Sequence, residues 1–326
     1  MSFGPPEPGY PLRKRSRWWW LGPLASVLIF GASLVVLWHI IADIEPGDLR
    51  NAFSNASYRQ LGLAFGFMML SYLLLTGYDS LALRRLGLRI PYRTTALASF
   101  TSYSVSFTLG FPIVTGGTVR YWIYAPKGVR ASEVASLTVI AGITFWLGLG
   151  AILCVALFYA TGSVAALART SPLVVQIAGA GVTLATLGYL AWVATGERTI
   201  RVKRWNLPLP GLGITLGQMF LGAAEVCAAA AVLFVLLPGG HNIDYPTFLA
   251  VYIVACLLGI ASHAPGGLGV FEATILIALS RLPYGQVLGA LLLFRIIYYL
   301  IPFVFALVLL ALNEIVRRIR RRDRDA

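Results

Sequence analysis

Long stretches without an ionisable side chain constrain the fold of this chain more than any other feature. The segments 18–42, 94–119 and 245–271 each run for more than 18 residues without Asp, Glu, Lys or Arg. A helix of about 20 apolar residues spans the hydrocarbon core of a bilayer. Only 12% of all residues are charged, compared with about 25% in a soluble globular protein. The sequence therefore predicts an all-α polytopic membrane protein.

Apolar runs and helix breakers divide the chain into six predicted membrane-spanning helices and two broken segments. The six helices are expected at residues 18–42, 60–83, 131–160, 172–195, 211–237 and 285–313. The broken segments, 94–119 and 245–271, are long enough to span a membrane but contain residues that end helices. Whether these two segments cross the membrane decides the topology.

The two broken segments are predicted to be re-entrant hairpins, which enter and leave the membrane on the same side. Their breakers are Gly110, Pro112, Gly116 and Gly117 in the first, and Pro265, Gly266 and Gly267 in the second. Four arginines between residues 84 and 93 precede the first segment, and Lys127 and Arg130 follow it. Because basic residues favour the cytoplasmic side, both flanks of this segment are expected in the cytoplasm.

The distribution of basic residues also predicts the orientation of the whole chain. With six crossings and two hairpins, both termini are cytoplasmic, and 20 of the 26 Lys and Arg residues lie on the cytoplasmic side. This imbalance explains the formal net charge of +13 without a nucleic-acid partner. The expected organisation is a basic N-terminal tail at 1–17, a single membrane domain at 18–313 and a basic C-terminal tail at 314–326.

The predicted topology contains an internal repeat of inverted orientation. Repeat 1 covers about residues 60–160 and repeat 2 about residues 211–313, and each consists of a helix, a hairpin and a helix. The repeats enter the membrane from opposite sides, because three crossings separate their starts. Interrupted segments at matching positions of two halves indicate a transport site.

Two glycine pairs are candidate binding elements: Gly116-Gly117 and Gly266-Gly267. Backbone amides freed at the start of a half-helix can bind an anion such as phosphate or carboxylate. Glycine lets the backbone approach such a ligand closely. The alternative is a tight turn at a hairpin tip that binds nothing.

Five ionisable residues in apolar surroundings are further candidates for a substrate-binding or transport site: Asp79, Arg120, Glu225, Glu272 and Arg295. Ionisable groups are costly in a membrane and usually face a cavity or a partner. Arg120 could bind phosphate or carboxylate with two hydrogen bonds, pair with a nearby acid, or extend its side chain to the cytoplasmic surface. Asp79 could instead pair with Arg84 at the end of its helix.

Two of these candidates carry further alternatives. Glu225 shares a helix face with Gln218 and Gly222, so it could bind a cationic head group, carry a proton or remain hydrogen-bonded within the bundle. A Glu272–Arg295 ion pair is expected either to lock the second hairpin to the bundle or to break and re-form during transport. The cysteines and histidines show no ligand spacing, so neither a metal nor a cofactor is expected.

Four motifs together resemble one family: GYDSLALRRLGLRIPYR (77–93), LGFPIVTGGTVRYWIY (109–124), KGVRASEVA (127–135) and SHAPGGLGVFEATIL (262–276). Their order and spacing resemble the membrane domain of the bacterial lysylphosphatidylglycerol synthase/flippases, the multiple peptide resistance factor family. The resemblance covers roughly residues 15–315.

This resemblance implies a flippase of the bacterial inner membrane that moves a phospholipid, aminoacylated or not, or a related envelope lipid by alternating access. The acidic residues and the arginine thought to matter for flipping in that family would fall at Asp79, Arg120 and Glu225. The aminoacyl-transferase half of the family does not follow the membrane domain in this sequence. We therefore expect no enzymatic activity, and a separate synthase would supply any aminoacylated lipid.

Membrane lipids are the expected partners, and the resemblance leaves a homodimer open. The main alternative function is a non-catalytic scaffold or regulator of a lipid-modifying enzyme. A membrane-embedded enzyme subunit has less support, because Glu272 is its one candidate general base.

Overall fold

The computed structural model describes residues 47, 56–110, 112–196, 199–202, 205–208, 210–239, 242–262 and 265–325. In chain order the helices are α1 (Tyr58–Arg85), α2 (Tyr92–Leu109), α3 (Pro112–Tyr124), α4 (Ala131–Tyr159), α5 (Thr161–Leu167), α6 (Pro172–Ala194), α7 (Leu212–Leu236), α8 (Tyr245–Ala261), α9 (Val270–Ala278), α10 (Tyr284–Phe294) and α11 (Ile301–Asp325). A π-helical segment, Arg295–Leu300, joins α10 to α11.

The regular secondary structure of the described residues is helical with one exception, a small antiparallel ribbon between α6 and α7. Thr199–Val202 (β1) pairs with Trp205–Pro208 (β2), and Thr199 lies opposite Pro208. The predicted all-α class is therefore confirmed for the helical body, and the ribbon is an addition that the hydropathy pattern did not indicate.

Within the described residues, five helices are long and apolar enough to cross a membrane: α1, α4, α6, α7 and the continuous helix Tyr284–Ile319. They coincide with five of the six predicted spanning helices. The remaining prediction, a helix at 18–42, lies outside the described residues. The continuous helix Tyr284–Ile319 is called the last helix below.

Each broken segment folds into two short helices that pack against each other. The first forms α2 and α3, and the second forms α8 and α9. Gly110 ends α2 with a φ of 78°, and Gly266 has a φ of 58°. Glycine adopts this left-handed region without the steric penalty that a side chain would bring. The predicted breaks at Gly110 and Pro265–Gly267 are thus confirmed.

One predicted break is wrong. Gly116 and Gly117 lie within α3, which begins at Pro112 and continues to Tyr124. Proline suits the first turn of a helix because its missing N–H would have no partner there. Glycine within a helix costs about 1 kcal/mol relative to alanine without breaking it. The helix therefore restarts at Pro112 and runs through the glycine pair.

The order of elements repeats along the chain. A long helix, a pair of short helices and a second long helix follow one another from α1 to α4 and again from α7 to the last helix. The leading helices of the two units, α1 and α7, pack against each other. The predicted bounds of the repeats and their inverted orientation in a membrane stay predictions.

Helices α4 and α7 cross at a pair of glycines, Gly148 and Gly222. A Cβ atom added to Gly222 would lie 2.5 Å from the carbonyl oxygen of Thr144 and 2.7 Å from the Cα atom of Gly148. Small residues allow such close approach of helices in a membrane, where van der Waals packing drives association. The crossing holds Gln218 in the interior, where its amide donates to Thr144 Oγ1 at 2.7 Å.

We predict that Gly222→Ala lowers the free energy of unfolding by about 1–3 kcal/mol, the usual cost of overpacking a filled contact. Gly142→Ala on α4 is the matched control, because nothing lies within 4 Å of a Cβ atom at that position. The measurement is thermal unfolding of both variants in detergent micelles. Equal stability of the two variants would contradict the crossing described here.

Candidate functional site

A cluster of polar side chains lies buried where α1, α3, α7 and the last helix come together. Each member is at most 3% exposed, and the members come from distant parts of the sequence. We call it the central polar cluster, and it consists of Ser71, Tyr72, Tyr78, Asp79, Arg120, Tyr124, Glu225 and Tyr298. Ionisable groups at membrane depth usually mark a functional site.

Asp79 and Arg120 form a two-point ion pair that links α1 to α3. Arg120 Nε donates to Asp79 Oδ2 at 2.9 Å, and Nη2 donates to Oδ1 at 2.8 Å. The Tyr124 hydroxyl lies 3.4 Å from Oδ2 as a third donor. The predicted pairing of Arg120 with a nearby acid is observed. Asp79 does not pair with Arg84, because it points into the bundle whereas Arg84 is exposed at the helix end.

Glu225 is surrounded by hydroxyl groups. Ser71 Oγ and the Tyr298 hydroxyl donate to Oε1 at 2.9 and 3.1 Å, and the Tyr78 hydroxyl donates to Oε2 at 3.3 Å. No Lys, Arg or His among the described residues forms an ion pair with Glu225. The carboxyl group therefore has hydrogen-bond donors from two helices but lacks a cationic partner within that part of the chain.

Glu272 and Arg295 form the predicted ion pair between the second hairpin and the last helix. Arg295 Nε donates to Glu272 Oε1 at 2.5 Å, and Arg295 Nη1 donates to the Gly266 carbonyl at 2.7 Å. Glu272 Oε2 in turn accepts the Gly269 N–H at 2.8 Å. One amide of the glycine-rich turn thus already has an acceptor, and the ion pair ties the turn to the last helix.

The π-helical segment places Tyr298 and Arg295 in these contacts. Pro302 lacks an N–H, so the Tyr298 carbonyl, four residues earlier, loses its α-helical donor. The Tyr72 hydroxyl donates to this carbonyl at 3.2 Å. Short π-helical turns occur often at functional sites. Here the turn brings side chains from the last helix against both Glu225 and Glu272.

Phe107, near the end of α2, connects the two hairpins. Its ring centroid lies 5.7 Å from that of Tyr103 and 6.2 Å from that of Tyr298. A Cβ atom at Gly266 would lie 3.1 Å from the Phe107 carbonyl oxygen. The turn of the second hairpin therefore touches the last turn of α2, close to the central polar cluster.

The remaining predicted glycines lie at close packing contacts. A Cβ atom at Gly116 would lie 2.6 Å from Ser106 Oγ and 3.1 Å from Arg120 Nη1. At Gly117 it would lie 3.7 Å from Thr138 Oγ1, and at Gly267 it would lie 3.3 Å from the Cα atom of Gly259. Gly116 and Gly267 therefore require small residues for packing, whereas a Cβ atom at Gly117 would make only an ordinary van der Waals contact. The role of all three positions in ligand binding stays a prediction.

Sequence reasoning missed the hydroxyl groups of the site, including Ser71, Tyr78 and Tyr298. Sequence reasoning also missed the hydroxyl groups of the first hairpin, where α2 buries an unusual number of them for a membrane helix. Seven of its nine buried residues carry one: Thr95, Ser99, Thr101, Ser102, Ser104, Ser106 and Thr108. The density of Ser and Thr between residues 94 and 108 could have indicated a polar interior.

The comparison with known families decides the classification. Residues 19–306 match the family described as "Lysylphosphatidylglycerol synthase TM region". The chain belongs to this family. The match confirms the resemblance found in the motifs, and the family and the five apolar helices together establish a multi-pass membrane protein.

The relatives of this chain fall into two groups, which differ in how much of their own length the chain covers. The protein slr0712 of Synechocystis sp. is 33% identical over 83% of this chain and 84% of its own length. The inner membrane protein YbhN of Escherichia coli is 28% identical over 93% of this chain and 95% of its own length. The phosphatidylglycerol lysyltransferase of Staphylococcus haemolyticus is 26% identical over 87% of this chain but only 33% of its own length.

The two ion pairs should differ in their contribution to stability. We predict that Asp79→Asn lowers the free energy of unfolding by about 3–5 kcal/mol, because it leaves Arg120 buried without a counter-charge. Glu272→Gln should cost about 1 kcal/mol or less, since both partners of that pair remain partly exposed, at 19% and 14%. Thermal unfolding in detergent measures both. A larger loss in Glu272→Gln would contradict this ranking.

Proposed function

We propose that this protein is a bacterial inner-membrane lipid flippase that moves a phospholipid-type lipid between leaflets by alternating access. The observation that carries the proposal is a buried cluster with charges of both signs, close to the contact between the two interrupted helix pairs. A structural bundle needs no such cluster, because unpaired and paired ionic groups are both costly at membrane depth.

The chemistry of the cluster suits a phospholipid head group. The guanidinium of Arg120 matches the geometry of a phosphate, and Glu225 offers a carboxyl group without a cationic partner among the described residues. A head group with both phosphate and amine would use both. Moving such a group through hydrocarbon is unfavourable unless protein groups replace its water, and the central polar cluster provides replacements.

The proposed cycle uses the hairpins as the moving parts. Both are re-entrant, the two repeats have inverted orientation, and both termini lie in the cytoplasm. The head group occupies the space between the hairpin tips while the acyl chains stay in the lipid. The Glu272–Arg295 pair, which is partly exposed, breaks and re-forms as the second hairpin moves.

The name of the staphylococcal relatives, phosphatidylglycerol lysyltransferase, suggests which lipids to test first. We propose phosphatidylglycerol and its aminoacylated form as candidate substrates. The stand-alone relatives of matching length support a membrane unit that acts without a fused transferase. In the proposal this chain has no enzymatic activity, and a separate synthase supplies any aminoacylated lipid.

The test is lipid flipping in proteoliposomes with labelled phosphatidylglycerol and labelled lysylphosphatidylglycerol. We expect the wild type to flip at least one of them, and Glu225→Gln and Arg120→Lys to lose at least about tenfold of the rate, which corresponds to about 1.4 kcal/mol in the barrier. Glu314→Gln is the control, because its ion pairs with Arg317 and Arg318 lie at the surface.

Gel filtration of each variant separates loss of activity from loss of folding. A wild-type rate no higher than that of empty liposomes across a panel of lipids would overturn the flippase proposal. The scaffold function would then become the leading alternative, and a partner enzyme would be the next protein to seek.

A further inference from the structure

Ser102, in the middle of α2, has a buried hydroxyl group that makes no hydrogen bond with any described residue. The neighbouring hydroxyls differ: Ser104 donates to the Phe100 carbonyl at 2.8 Å, and Ser106 donates to the Ser102 carbonyl at 2.6 Å. A buried hydroxyl without a partner lowers stability, and replacing it with an apolar group is often neutral or favourable. Buried polar groups in proteins are usually paired by hydrogen bonds. A buried hydroxyl without a partner is expected at a functional site, where a ligand supplies the partner.

The surroundings of Ser102 contain further hydrogen-bond donors. The next residue, Tyr103, also has a buried hydroxyl, which interacts with the guanidinium of Arg120, and its ring centroid lies 4.7 Å from Arg120 Cζ. If Gly116 carried a Cβ atom, that atom would lie 3.7 Å from the Ser102 carbonyl oxygen and 3.1 Å from Arg120 Nη1. The backbone of Ser102 and the guanidinium of Arg120 therefore both lie beside Gly116. Arg120 binds Asp79 through Nε and Nη2, so Nη1 takes no part in that ion pair.

We infer that Ser102, Tyr103 and Arg120 bind a phosphate group, and we call these three residues the phosphate site. All three can donate hydrogen bonds, and a guanidinium together with hydroxyl donors favours an anion with several acceptor oxygens. Assigning this phosphate to a phospholipid head group rests on the proposed function. The phosphate site itself rests on the unpartnered hydroxyl of Ser102 and on the neighbouring Tyr103, whose ring lies over Arg120.

Asp79 binds the Nε and Nη2 groups of the Arg120 guanidinium, and it lies 3.4 Å from the Tyr124 hydroxyl. Carboxylate and phosphate both accept N–H groups of arginine, so a phosphate bound at Nη1 shares one positive charge with Asp79. The ion pair stays intact when phosphate binds, and the negative charge of Asp79 lowers the affinity for phosphate.

The test measures binding by calorimetry, with the full-length protein in maltoside micelles. The probes are inorganic phosphate, dihexanoyl phosphatidylglycerol and dihexanoylglycerol, which lacks a phosphate. Ser102→Ala is compared with Ser104→Ala, because both serines are fully buried on α2 and, of the two hydroxyls, only that of Ser104 has a hydrogen-bond partner among the described residues. The melting temperature of each variant is measured in the same buffer.

We expect Ser102→Ala to weaken binding of the phosphate-bearing probes about tenfold, because it removes a hydrogen bond to a charged group. The melting temperature of Ser102→Ala should equal or exceed that of the wild type. Ser104→Ala should bind within about twofold of the wild type. Asp79→Asn, where it folds, should bind phosphate more tightly. Equal affinities for Ser102→Ala and the wild type, or equal binding of dihexanoylglycerol and phosphatidylglycerol, would overturn the inference.

The two phosphate sources give different results. Ser102-dependent binding of phosphatidylglycerol supports a lipid ligand, and Ser102-dependent binding of inorganic phosphate alone supports the site with free phosphate as its ligand. Binding that depends on Ser102 in a protein without flipping activity would refute the proposed function and leave the phosphate site standing.

Discussion

The buried ion pair between Asp79 and Arg120 is the contact on which the first hairpin depends. At 0% and 3% side-chain exposure, neither charge has solvent to stabilise it, so each requires the other. The pair fixes α3 against α1, and the tight contact at Gly116 then fixes α2 beside Arg120. The hairpin is thus held to the bundle by a charge pair rather than by apolar packing alone.

The second hairpin is attached in a comparable way, but more loosely. Glu272 and Arg295 join its turn to the last helix while remaining partly exposed. Between the two attachments lie Glu225, with its hydroxyl donors, and the ring of Phe107. The partly exposed Glu272–Arg295 pair costs less to break than the buried Asp79–Arg120 pair. This arrangement suits a bundle whose hairpins move relative to the long helices.

Much of the fold could be predicted because membrane helices need long apolar runs, and five of the predicted spans occur within the described residues. The Glu272–Arg295 pair was predictable too, since hairpin and helix were expected to meet. The partner of Asp79 was not, because pairing across 41 residues depends on how α3 folds back. The hydroxyl groups around Glu225 escaped notice because Ser and Tyr occur in many apolar helices, and their function appears only when the helices pack together.

Accessibility of the first hairpin tip tests the proposed alternating access most directly. The starting variant has alanine in place of Cys154, Cys227 and Cys256, and Thr108→Cys then introduces a single cysteine at a position that is only 4% exposed. This protein is treated with a membrane-impermeant maleimide from each side of sealed vesicles. Lys127→Cys, at an exposed position in the short helical turn that follows α3, serves as the control that reacts from one side. The proposal predicts labelling of position 108 from both sides. Labelling from one side alone, or from neither, would contradict it.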